Sequence, residues 1–484
     1  MRSLIFIFIL LIGGQQNVLQ GQRHKIQQTI NKFVKAELLS SSSMGIAITD
    51  LRNGKMIASY DPNRSLIPAS SMKILTCAAT MKTAGKQFSF VTPVYLARKD
   101  FENGVLHGDL IIQGMGDPSF GSYWLENNLS FEQFADSVFY LLRGLGITEL
   151  NGQIRVNNDY IKDIPENPEW LWYDLGNYYG AGCFGFNFLE NTAQISIEEP
   201  KTPNQVCEIV KVVPEALEEQ FCSNVQATKE VVAKDLFVLG STQADHYEVF
   251  GKIKCCGNGQ VVLKAAIKNP AETFAAMLAA GLKKRGLLVT GSYQLKPYKS
   301  IELLWNYKSQ NLEKLIKRTL DKSVNLYAES FLHLLGNLLN GTTVRADALK
   351  SMQKYWTDQG MDDEGVKLFD GSGLSPKNKM TAKAMSKVLY SIHKDSSLRD
   401  FHLSLQDVTK AGILSGRLSN VSSLSDRYRL KSGSMEGVRC FAGYILENGK
   451  PKYALVLMIN SYSCSSTEIR NKIADFLIHL SSVI

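Results

Sequence analysis

The chain is expected to adopt an α+β fold, an antiparallel sheet flanked by helices and interrupted by a long β-rich insertion of one or two domains. Three observations carry this expectation. Apolar runs that read as strands stand near both ends of the chain, far apart in sequence. Segments with helical spacing gather in the C-terminal half. Between them, from about Thr92 to Pro297, short strand-like runs rich in Gly and Asn dominate, with one clear helical segment at Ala271–Arg285.

Taken in order, Met1-Arg2-Ser3 and the apolar run Leu4–Ile12 read as a secretory signal, residues 1–21, with cleavage after Gly21. That run is too short to span a bilayer, and no transmembrane anchor is predicted. Lys25–Leu39 places Ile26, Ile30, Phe33, Val34 and Leu38 at near-helical spacing. Met44–Thr49 and Lys55–Tyr60 form a hairpin around Asn53-Gly54. Pro68-Ala69 lead into a buried helix carrying Lys73, Ile74, Leu75, Ala78 and Ala79. Further helices are expected at Asn311–Arg318, Val324–Leu339, Arg345–Gln359 and Ala382–His393. Near the end, Arg429–Gly433, Val438–Leu446 and Tyr453–Ile459 read as strands. A closing helix at Ser466–Val483 has Ile469, Ile473, Phe476, Leu477 and Leu480 on one face. The framework is thus residues 22–91 and 298–484, and the insertion is 92–297, read as two nested domains with the inner one at about 190–261.

Composition narrows the function. At 484 residues and 44% hydrophobic content, the chain is long enough for two or three domains with substantial cores. Its formal charge of +8 is spread among acidic residues without basic tracts, which argues against nucleic acid as a partner. Eight cysteines include no C-x-x-C pair, so zinc is not indicated. Cys207 with Cys222, or Cys255 and Cys256 with other partners, are candidate bridges in the middle segment.

The chemistry lies in three short motifs: Ser70-Ser71-Met72-Lys73, Ser323-Val324-Asn325 and Lys431-Ser432-Gly433. S-x-x-K also occurs at Ser351–Lys354 and Ser391–Lys394, and S-x-N at Ser309–Asn311, so the patterns alone are weak signals. Helical spacing puts Ser70 and Lys73 on one face, although Ser70 taken alone also reads as a helix N-cap. A serine hydroxyl needs a base within hydrogen-bond reach. None of the seven histidines lies in a motif, and there is no G-x-S-x-G elbow, so Lys73 is the expected base. Burial or a nearby cation would make it neutral, and Lys431 could be that cation.

These motifs, in this order, resemble the D-Ala-D-Ala carboxypeptidase/endopeptidases of the low-molecular-mass class C penicillin-binding proteins. Pro68–Lys73 is similar to P-A-S-x-x-K, Gly114–Pro118 to G-x-G-D-P, and Ser323–Glu329 to S-x-N-x-x-A-E. Asp370–Ser375 matches D-G-S-G-L-S, and Leu430–Ser434 with Ala442-Gly443-Tyr444 is similar to K-T-G-T followed by A-G-Y. Ser432 stands where Thr is commoner, and Val324 where Asp is, without loss of a catalytic atom. The Asp370–Ser375 run, apart from the resemblance, also reads as a tight turn.

The resemblance implies a transpeptidase/β-lactamase-like catalytic domain that acts on peptidoglycan stem peptides ending in D-Ala-D-Ala or on D-Ala cross-links, in the periplasm or cell envelope. It implies acylation of Ser70 by β-lactams. Lys73 would accept the Ser70 proton and Ser323 would relay one to the leaving amine. Asn325 would hold the substrate amide, while Lys431 and Ser432 take the terminal carboxylate. Gly433 would let the strand lie close to substrate, and the backbone N–H groups of Ser70 and Ser434 would form an oxyanion hole. In relatives an acidic residue near Asp159 meets the charged end of the peptide's diamino acid, with Asp117, Asp163 and Asp174 as competitors here. No metal or organic cofactor is required. A β-lactamase and a catalytically silent envelope-binding protein are the alternative readings.

Overall fold

A computed structural model of the chain describes residues 20–200, 202–230, 236–255, 259–291, 298–421 and 424–484. Residues 1–19, which include the apolar run of the expected signal, lie outside the described residues, as does Cys256. The chain clusters into two compact units. One holds the described residues up to Lys82 with Leu320–Ser323 and Met352–Ile484, and the other holds Thr83–Thr319 and Val324–Ser351.

In the first unit, alternating apolar residues from both chain ends build one antiparallel sheet. Its order is Gln406–Asp407, Tyr428–Met435, Val438–Glu447, Lys450–Asn460, Ser43–Asp50, Lys55–Tyr60. Ser43 lies opposite Asn460 and Asp50 opposite Tyr453, so the N-terminal hairpin completes the C-terminal strands. Side chains alternate between faces. Ile46, Ile48, Phe441 and Ile445 point to a core with Ile26, Ile30, Phe33, Ile469, Ile473 and Phe476 from helical residues 20–34 and helix Ser466–Val483. The Phe33 and Phe476 rings sit 4.6 Å apart there. On the opposite face, Thr49 shares a 2.6 Å hydroxyl contact with Ser386, and the Tyr444 hydroxyl donates to the Leu389 carbonyl at 2.9 Å. Both residues belong to helix Ala382–Lys394. Coverage on both faces explains why Val438–Glu447 is buried along almost its whole length. The N-terminal helix stops at residue 34, short of the expected Leu39, and the short 3-10 turn Glu37–Leu39 tucks Leu39 inward.

The second unit has a six-stranded mixed sheet and two three-stranded sheets. In the larger, Val105–Gln113 runs antiparallel to Val91–Glu102 and parallel to Glu149–Asn151 and Ile154–Asn157. A knot of Phe120, Phe134, Phe186, Phe188 and Phe274 fills its core, with Phe120 and Phe134 at 5.0 Å and edge-on. Phe134 comes from helix Phe131–Gly144, which the sequence reading passed over. Its start is marked by a capping box in which Ser130 and Gln133 satisfy each other's backbone N–H groups. Cys207 and Cys222 do not bridge. The Cys207 N–H bonds the Val225 carbonyl, so the two cysteines are out of register, and Cys222 faces solvent.

Candidate active site

Seven of the residues singled out from the motifs fall in the first unit, where backbone geometry brings three distant stretches together. Ser70 lies on the 3-10 turn Ala69–Met72, and Lys73 opens the α-helix that follows. One helical turn of separation puts the Lys73 Nζ 2.9 Å from Ser70 Oγ. Ser70 is not a cap: Pro68 occupies that position, and it is the Ser71 hydroxyl that donates back to the Pro68 carbonyl at 2.7 Å. Ser70 remains partly open to solvent. The residue before it, Ala69, is held at φ 45°, a strained conformation of the kind that persists where the surroundings over-determine it.

Lys73 is fully buried, and it also donates to the Ser372 carbonyl at 2.7 Å. That carbonyl is held by its own loop. The buried Asp370 carboxylate accepts from the N–H groups of Gly373 and Ser375 at 2.7 and 2.6 Å and from the Asn378 amide at 2.9 Å. The Thr76 hydroxyl, on the Lys73 helix, donates to the Gly371 carbonyl at 2.6 Å. Gly373 has φ +79°, and a Cβ there would sit 2.1 Å from the Ala69 carbonyl oxygen. The Asp370–Ser375 run is therefore a turn, and one that aims an acceptor at Lys73. Motif reading could flag the loop but not this role, because the acting atom is a backbone oxygen.

Lys431, on the Tyr428–Met435 strand, donates to Ser323 Oγ at 3.0 Å and to the Ser432 carbonyl at 2.8 Å. Ser323 ends helix Leu312–Lys322 at φ 58°, the left-handed position where glycine is usual. Burial pushes the Lys431 ammonium down to about 7, and the charge on Lys73 pushes the same way. Lys431 is 2% exposed, and its charge and that of Lys73 disfavour one another. Cys77, also close to both lysines, has its thiol pushed up to about 12 by burial and offers no negative charge to pair with them.

Gly433 is also required by the backbone packed against it. A Cβ on it would lie 2.6 Å from the Pro68 carbonyl oxygen and 3.0 Å from the Ser70 nitrogen. The strand is thus pressed against the Ser70 turn itself, which brings the next residue, Ser434, alongside. The Ser434 hydroxyl accepts from Arg439, whose guanidinium also donates to Ser466 Oγ at 2.7 Å.

Asn325 and Asp159 belong to the second unit. Asn325 begins helix Asn325–Asn340, is buried, and donates to the Tyr179 carbonyl at 2.7 Å. Asp159 is exposed. Its competitors are engaged: Asp117 with the Ser119 N–H and hydroxyl at 2.8 and 2.6 Å, Asp163 with the Arg345 N–H, and Asp174 with the Tyr179 hydroxyl. Burial pushes the Asp117 carboxyl up to about 6.

Comparisons with known proteins bear on the chain as a whole. A family model described as D-Ala-D-Ala carboxypeptidase 3 (S13) family matches residues 26–480. A D-alanyl-D-alanine carboxypeptidase DacB of Haemophilus influenzae is 26% identical over 457 residues, 91% of this chain and 90% of that one. A penicillin-sensitive carboxypeptidase A of Dictyostelium discoideum is 24% identical over 428 residues, 81% of this chain and 76% of that one. The crystal structure of penicillin binding protein 4 (dacB) from Haemophilus influenzae has the same fold, with a TM-score of 0.77 at 23% identity over 93% of this chain and 99% of that one.

Proposed function

The chain belongs to the D-Ala-D-Ala carboxypeptidase 3 (S13) family and is a serine-type peptidase of the penicillin-binding kind; from that premise we propose that Ser70 forms an acyl-enzyme with peptidoglycan stem peptides. The observation that carries this reading is the pairing of a partly open Ser70 hydroxyl with the buried Lys73 amine at 2.9 Å. As an ammonium, Lys73 donates to both Ser70 Oγ and the Ser372 carbonyl. As a neutral amine it keeps the Ser372 bond and turns its lone pair to the Ser70 O–H, which makes it a base.

The two buried lysines set when that happens. With Lys431 pushed down to about 7, the pair carries both charges only in acid. A substrate carboxylate arriving at Lys431 and Ser432 favours a proton on Lys431 and so leaves Lys73 neutral. Ser70 Oγ then attacks the carbonyl of the penultimate D-alanine while its proton passes to Lys73. The backbone N–H groups of Ser70 and Ser434 take the developing oxyanion, and donors of this kind are worth about 3 kcal/mol each. Ser323, bonded to Lys431, passes a proton to the leaving amine, the C–N bond breaks, and water hydrolyses the ester.

The same step covers release of a terminal D-alanine, cleavage of D-Ala cross-links and acylation by a β-lactam. We keep Asn325 as a residue for the substrate amide and Asp159 for the charged end of the diamino acid. The cationic, apolar N-terminal segment supports an exported enzyme acting in the periplasm or envelope. The test is covalent labelling by fluorescent penicillin together with D-alanine release from a D-Ala-D-Ala peptide. Ser70→Ala should abolish both; label retained in that variant, or fast cephalosporin turnover without D-alanine release, overturns the reading.

A further inference from the structure

The second unit displays aromatic rings to water on a frame built to hold them still. Residues 171–180 form consecutive turns, with N–H to C=O bonds from Asp174 to Leu171 (2.9 Å), Asn177 to Asp174 (3.1 Å) and Gly180 to Asn177 (2.9 Å). The Asn177 side chain is 6% exposed and clamps the loop: its amide donates to the Tyr173 and Val238 carbonyls at 2.9 and 3.2 Å and accepts from the Val238 N–H at 3.1 Å. Despite this rigidity Tyr178 is 50% exposed. Beside it Lys264 projects from strand Gln260–Ala266, its Nζ 5.6 Å from the Tyr178 ring and 4.5 Å from the Trp124 ring. Trp124 lies 4.3 Å from Tyr123, which is 48% exposed and accepts from the Gln194 amide at 3.0 Å. Lys264 and Gln194 are direct cross-strand partners, so rings and polar groups share one sheet surface.

We propose that this surface, Tyr123, Trp124 and Tyr178 around Lys264 with Gln194 at its edge, binds the N-acetylhexosamine glycan strand from which the stem peptides hang. Pyranose rings present axial C–H bonds of slight positive charge, which suit the negative face of an aromatic ring. Their hydroxyl and acetamido groups need donors and acceptors at the rim, and the Gln194 amide, the Tyr123 hydroxyl and the Lys264 ammonium provide both. Large exposed rings on an immobile frame lose little entropy on contact, which is why Tyr and Trp recur as anchors. A lipid surface fits less well: it calls for a cluster of free cations beside the rings, and of the two cations against the Trp124 ring, Lys264 at 4.5 Å and Arg318 at 6.0 Å, Arg318 is tied to the Glu190 carboxylate at 2.6 Å. The choice of ligand rests on the catalytic reading above, since the substrate of that reaction is tethered to this polymer.

Calorimetric titration of the full chain with chitohexaose, and co-sedimentation with glycan strands stripped of stem peptides, read the contact without turnover. Tyr123→Ala and Tyr178→Ala should each weaken binding about two- to tenfold, the worth of one aromatic stacking contact, whereas Tyr178→Phe keeps it. Ser70→Ala should bind the glycan as the parent does. A failure of penicillin labelling would sink the catalytic reading and leave the glycan measurement standing. The proposal is overturned if chitohexaose does not bind, if the double Tyr123→Ala, Tyr178→Ala variant binds undiminished while still labelled by penicillin, or if the surface retains phosphatidylcholine–phosphatidylglycerol vesicles in place of glycan.

Discussion

Replacing Lys431 by methionine should stabilise the protein in acid and destroy its activity, and the two effects share one cause. Taking the buried ammonium from its ordinary 10.5 down to about 7 corresponds to about 5 kcal/mol of disfavoured charge, at about 1.4 kcal/mol per tenfold. The sign follows from proton counts. Between pH 7 and 10.5 the unfolded chain holds the proton that the folded chain has released, so native stability rises with pH in that window. The penalty is fully present below about pH 7 and gone by about pH 10.5. Methionine removes it and fills a similar volume, but it forfeits the bonds to Ser323 Oγ and the Ser432 carbonyl, together about 2 kcal/mol net. The variant should therefore be more stable by about 3 kcal/mol at pH 6, a rise in Tm of roughly 6–12 °C for a unit of this size. It should cross the parent near pH 9, where the remaining penalty equals about 2 kcal/mol, and be the less stable of the two above it. Thermal denaturation of both proteins at pH 6, 8 and 10, with D-alanine release measured beside it, tests this. A variant less stable than the parent at pH 6, or a difference that does not change with pH, refutes the argument that burial of this charge is tolerated for function.

The same lysine pair predicts that kcat/KM falls tenfold per pH unit below about pH 7, because a doubly charged pair leaves no base for Ser70; a flat profile from pH 5 to 8 contradicts this. Gly433→Ala places a methyl 2.6 Å from the Pro68 carbonyl oxygen and should cost about 1–3 kcal/mol by thermal denaturation, with kcat falling as the Ser70 turn is displaced. Asp370→Asn puts an amide against three donors, so a stability loss of about 1–3 kcal/mol should accompany a lower kcat at unchanged KM, while Asp370→Asn with normal turnover would show that the Ser372 carbonyl does not position Lys73.

What could be read in the sequence depended on distance along the chain. Ser70 and Lys73 are three residues apart, and helical geometry alone puts their ends together, so the pair was legible without a structure. The hairpin around Asn53-Gly54 and the closing helix Ser466–Val483 were legible for the same reason: turn residues and period are local properties. Nothing local couples Lys431 to Ser323. Their contact exists because the Tyr428–Met435 strand and the end of helix Leu312–Lys322 meet in three dimensions, and only the order of motifs hinted at it. Burial is a still less local property. A lysine in K-S-G gives no sign that burial will push its ammonium down to about 7. Two further features were not legible because a residue letter reports a side chain and the working atom was in the backbone. Ser372 meets Lys73 through its carbonyl, and Gly433 acts by what it lacks, leaving room for the Pro68 and Ser70 backbone. A serine at φ 58° and an alanine at φ 45° flank the reacting groups, where glycine would fold more easily. Their retention there follows if the left-handed turn at Ser323 is what holds its hydroxyl on Lys431, because the strain is then the cost of keeping a side chain at that position.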